Sequence, residues 1–152
     1  MMSHDTSNLI EGDEERIAEL VRSARRVAVL GIKPESHAGQ AAFYVPQYLA
    51  QAGVDVIPVP VYYPEVTTIL GKPVYRKIAE IPGGPVDIVD VFRRPQDVAA
   101  HLDDLLAARP RAVWMQKGIR NDEVAQRLSD AGILVVQDRC LMVDHRRYAH
   151  AS

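Results

Sequence analysis

Three short segments that contain basic or glycine residues follow apolar runs of the chain. They span residues 31–39, 92–94 and 116–118. In the first, Gly31 permits a tight turn, and backbone amides near a following helix can hold a phosphate, with a point charge added by Lys33. These residue types indicate the binding of an anionic ligand. The alternative is an ordinary connecting loop of the same composition.

Two consecutive arginines form a second group of candidate contacts. Arg93 and Arg94 come directly after the apolar run VDIVDVF. At least one of them is expected to lie over the edge of a sheet, where its planar guanidinium can grip a phosphate. The alternative is a surface ion pair with Asp90 or Asp97. We expect ligand contact for one of the two arginines.

Missing motifs narrow the class of ligand. The chain has neither GxGxxG nor GxxxxGK followed by Ser or Thr, which disfavours the classical dinucleotide and P-loop sites. The second apolar run ends VIPVPVYYP, without the acidic residue that a classical NAD site places there. A stiff aromatic wall at this end either flanks an adenine ring or simply packs the loop, and it consists of Pro58, Pro60, Tyr62 and Tyr63.

Residues for catalysis or metal binding show no specific pattern. The histidines form no HxxxH pair and the chain has 1 cysteine, so a structural metal site is not expected. Cys140 and the nearby His145 resemble a nucleophilic pair, but a lone cysteine after a buried strand is more often a small core residue. We therefore assign no catalytic and no metal-binding residue.

Five apolar, β-branched runs predict strands that are covered on both faces. They span residues 27–30, 54–59, 86–91, 112–115 and 133–136. Helical periodicity lies between them, and Asp13 and Asn121 are expected N-caps, the first of a helix that precedes the sheet. This alternation predicts an α/β fold with a doubly wound, five-stranded parallel sheet. Its strands should present five segments at their carboxyl ends, where ligands bind: residues 31–39, 60–63, 92–94, 116–118 and 138–139.

The other segments are less regular. Residues 1–12 are expected to form a disordered tail before a single domain over residues 13–152. A helix is expected over residues 43–52, with Pro46 in or near its first turn. Residues 62–85 hold four of the ten prolines, which predicts an irregular connection with one or two short helical turns.

Composition excludes several classes of protein. With 18 basic and 20 acidic side chains, the formal charge of −2 argues against a general nucleic-acid binder. No apolar run approaches the roughly 20 residues that a bilayer requires, so no membrane association is expected. The single cysteine and the polar start of the chain fit a reducing, cytoplasmic setting.

Taken together, these features resemble the small stand-alone CoA-binding proteins, whose domain also occurs in the α subunit of succinyl-CoA synthetase. The resemblance covers roughly residues 14–148. It rests, in order, on VAVLGIKP, VIPVPVYYPEV with GKPVYRKIAEIP, VDIVDVFRRP, VWMQKGIRNDEVAQRLSDAGI and VVQDRCLMVDH. It implies a Rossmann-like sheet with strand order 3-2-1-4-5 that holds coenzyme A across its carboxyl edge.

The resemblance also implies individual contacts with coenzyme A. The turn after the first strand would hold the pyrophosphate, the end of the second strand would lie beside the adenosine, and the arginine segment would follow the nucleotide. The implied residues are Gly31, Ile32, Lys33, Pro34, Pro60, Tyr62, Phe92, Arg93, Arg94, Gln116 and Gly118. In place of the short Gly-Ala-Ser type turn of many relatives, this chain has the longer IKPESHAGQAAFYVP.

The function expected from the sequence is noncatalytic binding of coenzyme A or an acyl-CoA, as a sensor or carrier module that acts through a protein partner. The phosphorylated histidine of the synthetases comes from a further domain, so that chemistry is not expected here. Two alternatives remain open. One is a small nucleotide- or NAD(P)-dependent oxidoreductase, and the other is a protein-interaction module with a vestigial nucleotide crevice.

Overall fold

A computed structural model describes residues 4–149, which are built around one parallel sheet. In chain order the strands are β1 Arg26–Leu30, β2 Asp55–Val59, β3 Thr68–Ile69, β4 Lys72–Pro73, β5 Ile88–Val91, β6 Ala112–Met115 and β7 Leu134–Val136. The helices are α1 Glu14–Ser23, α2 Ala41–Gln51, α3 Leu102–Ala108, α4 Asp122–Asp130 and α5 Leu141–Tyr148. Within residues 4–149, no helix has the length and apolar character needed to cross a membrane.

Helices cover both faces of this sheet. One apolar cluster joins α1, α2 and α5 to one face, and a second joins α3 and α4 to the other. Along β1 the side chains alternate between the clusters, so that Val29 belongs to the first and Leu30 to the second. The expected N-caps are present, since Asp13 accepts from the Arg16 amide and Asn121 accepts from the Val124 amide. The predicted doubly wound, Rossmann-like α/β fold is confirmed.

The strand order differs from the expected 3-2-1-4-5. The sheet runs β2-β1-β5-β6-β7. Strand β5, the third of these five along the chain, therefore pairs with β1 instead of lying outside β2. In β2 the Val59 carbonyl accepts the Gly31 amide at 2.9 Å, whereas the Pro58 carbonyl faces outward and accepts the Tyr75 amide at 3.0 Å. A further strand on that outer side would need an N–H from Pro58, which proline lacks. Strand β2 therefore lies at the edge of the sheet.

Three segments depart from the sequence expectations. Leu9 pairs with Val135 and Ile10 is 1% exposed, so the expected disorder is wrong at these positions, while residues 1–3 lie outside the described residues. The irregular connection contains the expected short turn, Ile78–Glu80, and also the unexpected hairpin formed by β3 and β4. Helix α2 begins at Ala41 and carries Pro46 in its second turn.

Helix α5 was not expected at all, because its sequence LMVDHRRY has only a weak apolar stripe. Arg139 fastens it to the rest of the chain. The Arg139 guanidinium pairs with Asp144 of α5 at 2.7 Å and with Glu14 of α1 at 2.5 Å. Hydrogen bonds from Arg139 and Tyr148 lower the pKa of Glu14 to about 2. Tertiary ion pairing therefore supports a helix that local pattern does not specify.

One carboxyl group lies inside the sheet. Asp90 is 0% exposed on β5, in register between Val29 of β1 and Trp114 of β6. Neither carboxyl oxygen has a hydrogen-bond partner in the described chain. Burial disfavours the charged form and raises the pKa of Asp90 well above its usual range. A surface ion pair of Asp90 with either arginine is therefore excluded.

We predict that Asp90→Asn removes a pH-dependent loss of stability. The folded chain holds this proton to higher pH than the unfolded chain, so the free energy of unfolding falls as pH rises from about 4 toward the folded pKa, by up to about 1.4 kcal/mol per pH unit. Asparagine does not ionise, so urea unfolding of the variant should show a shallower slope between about pH 5 and pH 8. Asp103→Asn, at an exposed position of α3, is the control. Equal slopes in Asp90→Asn and the unmodified protein would contradict the assignment.

Candidate functional site

A groove of about 300 Å³ lies where β1, β2 and β5 end. The chain leaves β1 toward β2 on one side, and β5 pairs with β1 on the other, so this is the switch point of the sheet. Ligands of open α/β sheets bind at such points, and the volume is of the order of small-molecule sites. The lining residues are Gly31, Ile32, Lys33, Val61, Tyr62, Tyr63, Phe92, Arg93 and Arg94.

The turn that leaves β1 requires glycine at position 31. Gly31 has a φ of +87°, and a Cβ atom built there would lie 2.3 Å from the Phe92 carbonyl oxygen. Any side chain would therefore collide with the backbone after β5 and would also strain the turn. The tight turn expected at Gly31 is confirmed. It brings the loop after β1 close to the loop after β5.

Lys33 is held at the groove by the helix that follows it. Pro46 has no N–H, which leaves the carbonyl four residues earlier, that of Ala42, without its helical donor. The Lys33 amide donates to this carbonyl at 3.1 Å, and the Lys33 ammonium donates to the Gln40 side chain. The Lys33 amide is thus occupied, and the ammonium remains as the group that a phosphate can meet.

Arg93 is a largely enclosed cation of the groove, with 14% of its side chain exposed. Its Nε–H donates to Nε2 of His101 at 3.2 Å. Its guanidinium lies 5.4 Å from the ring centre of Tyr62, in cation–π contact. These contacts fix the guanidinium plane before any ligand arrives, which is the state expected of a phosphate-binding arginine.

Arg94 behaves differently from its neighbour. Its side chain is 71% exposed, and its Nε–H donates to Asp97 at 2.7 Å. This hydrogen bond and the positive charge lower the pKa of the Asp97 carboxyl. The ion pair with Asp97 considered from the sequence is therefore present for Arg94. Arg93 lies farther from the same carboxylate, with 4.0 Å between its Nη2 and Asp97, and its side chain lines the groove.

The wall formed by residues 61–63 is shaped by an arginine that the sequence did not single out. Arg76 donates to the carbonyls of Tyr62, Tyr63, Pro64 and Val66, at distances of 2.9 to 3.4 Å. These bonds support a turn in which Tyr63 has a φ of +64°. Tyr62, 61% exposed, then stands open at the groove.

Four residues implied by the family resemblance do not line the groove. Pro34 and Pro60 are buried beside it. Gln116 is 4% exposed, and its side-chain oxygen accepts the Leu141 amide at 2.9 Å, so it supports the start of α5. The Gly118 amide donates to Asp138 at 2.6 Å. The side-chain oxygen of Gln116 and the backbone N–H of Gly118 thus take part in local structure, and neither residue lines the groove.

The sequence placed residues 60–63, which include Val61 and Tyr63, at the carboxyl end of the second strand, but it did not single out Arg76 or His101. Arg76 acts on Tyr62 across 14 positions of sequence, and His101 acts on Arg93 across 8. No local pattern signals such contacts.

A second cavity, of about 190 Å³, lies beside the amino half of β2. Two cations line it. Arg26 already donates to the carbonyls of Pro82, Gly83 and Gly84, at 2.7 to 3.2 Å, and Lys72 pairs with Asp55 at 3.3 Å. Because both cations already have partners, this cavity offers less to an anion than the switch-point groove does. Among the described residues, no group of three or more His, Cys, Asp and Glu side chains is placed to hold a metal ion.

The fold and the groove together define a class: a Rossmann-like α/β protein with a cationic groove at the switch point of its sheet. Residues 25–146 match the family described as a CoA binding domain. The chain belongs to this CoA-binding domain family, as its sequence motifs indicated.

Two similar proteins extend over most of the same length. The uncharacterized protein YneT of Bacillus subtilis is 31% identical over 129 residues, which cover 85% of this chain and 91% of YneT. The Thermus thermophilus protein solved as cell-free ID.343 is 38% identical with a TM-score of 0.80, covering 90% of this chain and 98% of that one.

A larger enzyme contains a domain of the same fold. The dinucleotide-forming acetyl-coenzyme A synthetase 1 of Ca. Korarchaeum cryptofilum, in complex with phosphate and ADP, has a TM-score of 0.65. The match covers 77% of this chain but 26% of the synthetase, at 18% identity. At that identity the likeness shows the fold alone.

We predict that Arg76→Ala loosens the groove wall while the sheet stays folded. Loss of the guanidinium removes a donor from four carbonyls of the 62–66 turn, of which the Tyr63 carbonyl keeps only the Val66 amide. Amide hydrogen exchange in this segment should therefore accelerate about tenfold or more. Exchange in β1, β5 and β6 should stay unchanged. Arg127→Ala, at an exposed position of α4, serves as the control. Unchanged exchange over residues 62–66 would show that Arg76 does not shape the wall.

Proposed function

We propose that this protein binds coenzyme A, or an acyl-CoA, in the switch-point groove. The observation that carries the proposal is the meeting of Lys33 and Arg93 in one groove against the aromatic wall at Tyr62. Coenzyme A joins negatively charged phosphates to an adenine ring, so it needs both cations and a flat apolar partner. The family to which the chain belongs supports the same ligand.

The parts of the ligand are assigned by chemistry. The pyrophosphate lies over the Gly31 turn, between Lys33 and the guanidinium of Arg93. The adenine stacks on the exposed face of Tyr62 or Tyr63. Arg94, whose side chain is largely in water, contacts the outer phosphate and contributes less because Asp97 already neutralises part of its charge.

We further propose that binding is noncatalytic and that the protein acts as a sensor or carrier through a protein partner. The nine residues that line the groove include no Ser, Cys, Asp or Glu, which are the usual nucleophiles and carboxylate bases. Two histidines contact lining residues: His101 is engaged by Arg93, and His37 is in contact with Tyr63. The single cysteine supports a reducing, cytoplasmic setting for this role.

Coenzyme A should raise the melting temperature of the protein. A ligand that binds only the native state stabilises it by RT ln(1 + [L]/Kd), about 2.7 kcal/mol at a ligand concentration of 100 Kd. Differential scanning fluorimetry with coenzyme A, acetyl-CoA, ADP and NAD separates the candidate ligands. A shift with coenzyme A that ADP reproduces only weakly supports the proposal. A larger shift with NAD would favour the oxidoreductase alternative, and no shift in folded protein at millimolar coenzyme A would end the CoA proposal.

The two arginines should contribute unequally to affinity. Arg93→Gln removes an enclosed cation and should weaken coenzyme A binding about tenfold or more, whereas Arg94→Gln should weaken it about threefold or less. Isothermal titration calorimetry at one fixed ionic strength measures both, with Arg127→Gln on α4 as the control for loss of surface charge. Equal effects of the two substitutions would remove the distinction drawn here between Arg93 and Arg94.

A further inference from the structure

The enclosed arginine of the groove is held from behind by a histidine. His101 ends the 3-10 turn Pro95–His101, and the chain continues directly into α3. Its Nε2 accepts the Nε–H of Arg93 at 3.2 Å, which assigns the ring proton to Nδ1. The Nε–H lies on the same side of the guanidinium as Nη2, so an acceptor at Nε fixes the guanidinium plane and leaves Nη1 directed away from the imidazole. Nη1 lies 3.5 Å from the Tyr62 hydroxyl at the groove wall.

We propose that His101 is a positioning residue that makes the groove sensitive to pH: the neutral imidazole holds Arg93 in its phosphate-binding orientation, and the protonated imidazole releases it. This inference rests on the proposed function, because it concerns how the same groove recognises a phosphate-bearing ligand. It assigns to His101 neither contact with the ligand nor a chemical step.

Burial and the charge of Arg93 keep His101 neutral near pH 7. It is half-buried, and its pKa is lowered mainly by burial and then by the positive charge of Arg93. Asp104 of α3 and Asp97 of the 3-10 turn act in the opposite direction, and the net shift is downward. Asp104 is itself engaged by the amides of Ile78 and Ala79, at 2.7 and 3.0 Å. From the loop after β2, the Tyr62 phenol contacts this pair through Arg93, whose Nη1 lies 3.5 Å from the Tyr62 hydroxyl.

Protonation would change the contact in two ways. The imidazolium has no free lone pair at Nε2, so the hydrogen bond from Arg93 is lost. Two positive groups would also stand 3.2 Å apart at their nearest nitrogens, so Arg93 turns away toward water or toward Asp97, 4.0 Å from its terminal nitrogen. Either movement takes the Arg93 guanidinium out of the phosphate-binding orientation in which the neutral His101 holds it. Affinity for a phosphate ligand should therefore fall as pH drops.

The test uses dephospho-coenzyme A as the probe. This ligand keeps the pyrophosphate but lacks the 3′-phosphate, whose own pKa near 6 would confuse the titration. The unmodified protein should bind it about fivefold more weakly at about pH 5.5 than at about pH 7.5. His101→Gln keeps a side-chain oxygen that can accept from Arg93 but does not titrate, so its affinity should stay constant over the same range. His101→Leu should bind weakly at both pH values.

Controls separate this contact from the other histidine near the groove. His37 stacks edge-on against Tyr63, with ring centres 5.3 Å apart. His37→Gln should therefore keep the full pH dependence. If His101→Gln follows the same pH profile as the unmodified protein, or if binding tightens at low pH because the added positive charge dominates, the proposal is overturned.

A measurement without ligand distinguishes this inference from the proposed function. The NMR titration of His101 should give a pKa below its usual value, and Arg93→Gln should raise it by removing the adjacent charge. An ordinary His101 pKa that Arg93→Gln leaves unchanged would overturn the positioning role even in a protein that binds coenzyme A. If the unmodified protein binds neither coenzyme A nor dephospho-coenzyme A at about pH 7.5, the proposed function itself fails, whatever the titration shows.

Discussion

The groove depends on the close approach of two backbone segments at the carboxyl ends of β1 and β5. Strand β1 lies between β2 and β5, so the turn that leaves it meets the segment that leaves β5. At Gly31 the distance to the Phe92 carbonyl leaves no room for a side chain. This contact places Lys33 and Arg93 on the rim of one depression. A bulkier residue at position 31 would push the two loops apart and would therefore separate Lys33 from Arg93.

Residues outside the lining of the groove hold the lining residues in place through hydrogen bonds. Arg76 binds the carbonyls of the aromatic wall, and His101 holds the guanidinium of Arg93. The carbonyl that Pro46 leaves without a helical donor accepts the amide of Lys33. A ligand entering such a groove orders few groups for itself, which lowers the entropic cost of binding. The hydrogen bond from the Lys33 amide attaches the loop after β1 to α2.

Much of the fold is readable from residue pattern. Unbroken β-branched runs indicated five buried strands, and Asp13 and Asn121 were correct N-caps because capping is a contact within one turn. The strand order followed from the family resemblance and was wrong. Pro58 carried the missing information, since a proline whose N–H side faces outward can lie only on an edge strand. Helix α5 was not predicted because its support is tertiary. Arg139 pairs with Asp144 of α5 and with Glu14, which is distant in sequence.

The sequence by itself determined the chemical type of the site: a glycine turn with a lysine after the first strand, and two arginines after the third. Parallel strands place such segments at one edge, so their neighbourhood could be predicted. Only the tertiary structure decided which cation serves the groove, because Arg94 finds Asp97 one turn away while Arg93 is enclosed by Tyr62 and His101. The physical reason is that residue type sets what a side chain can bind, whereas burial and competing partners set what it has left to offer.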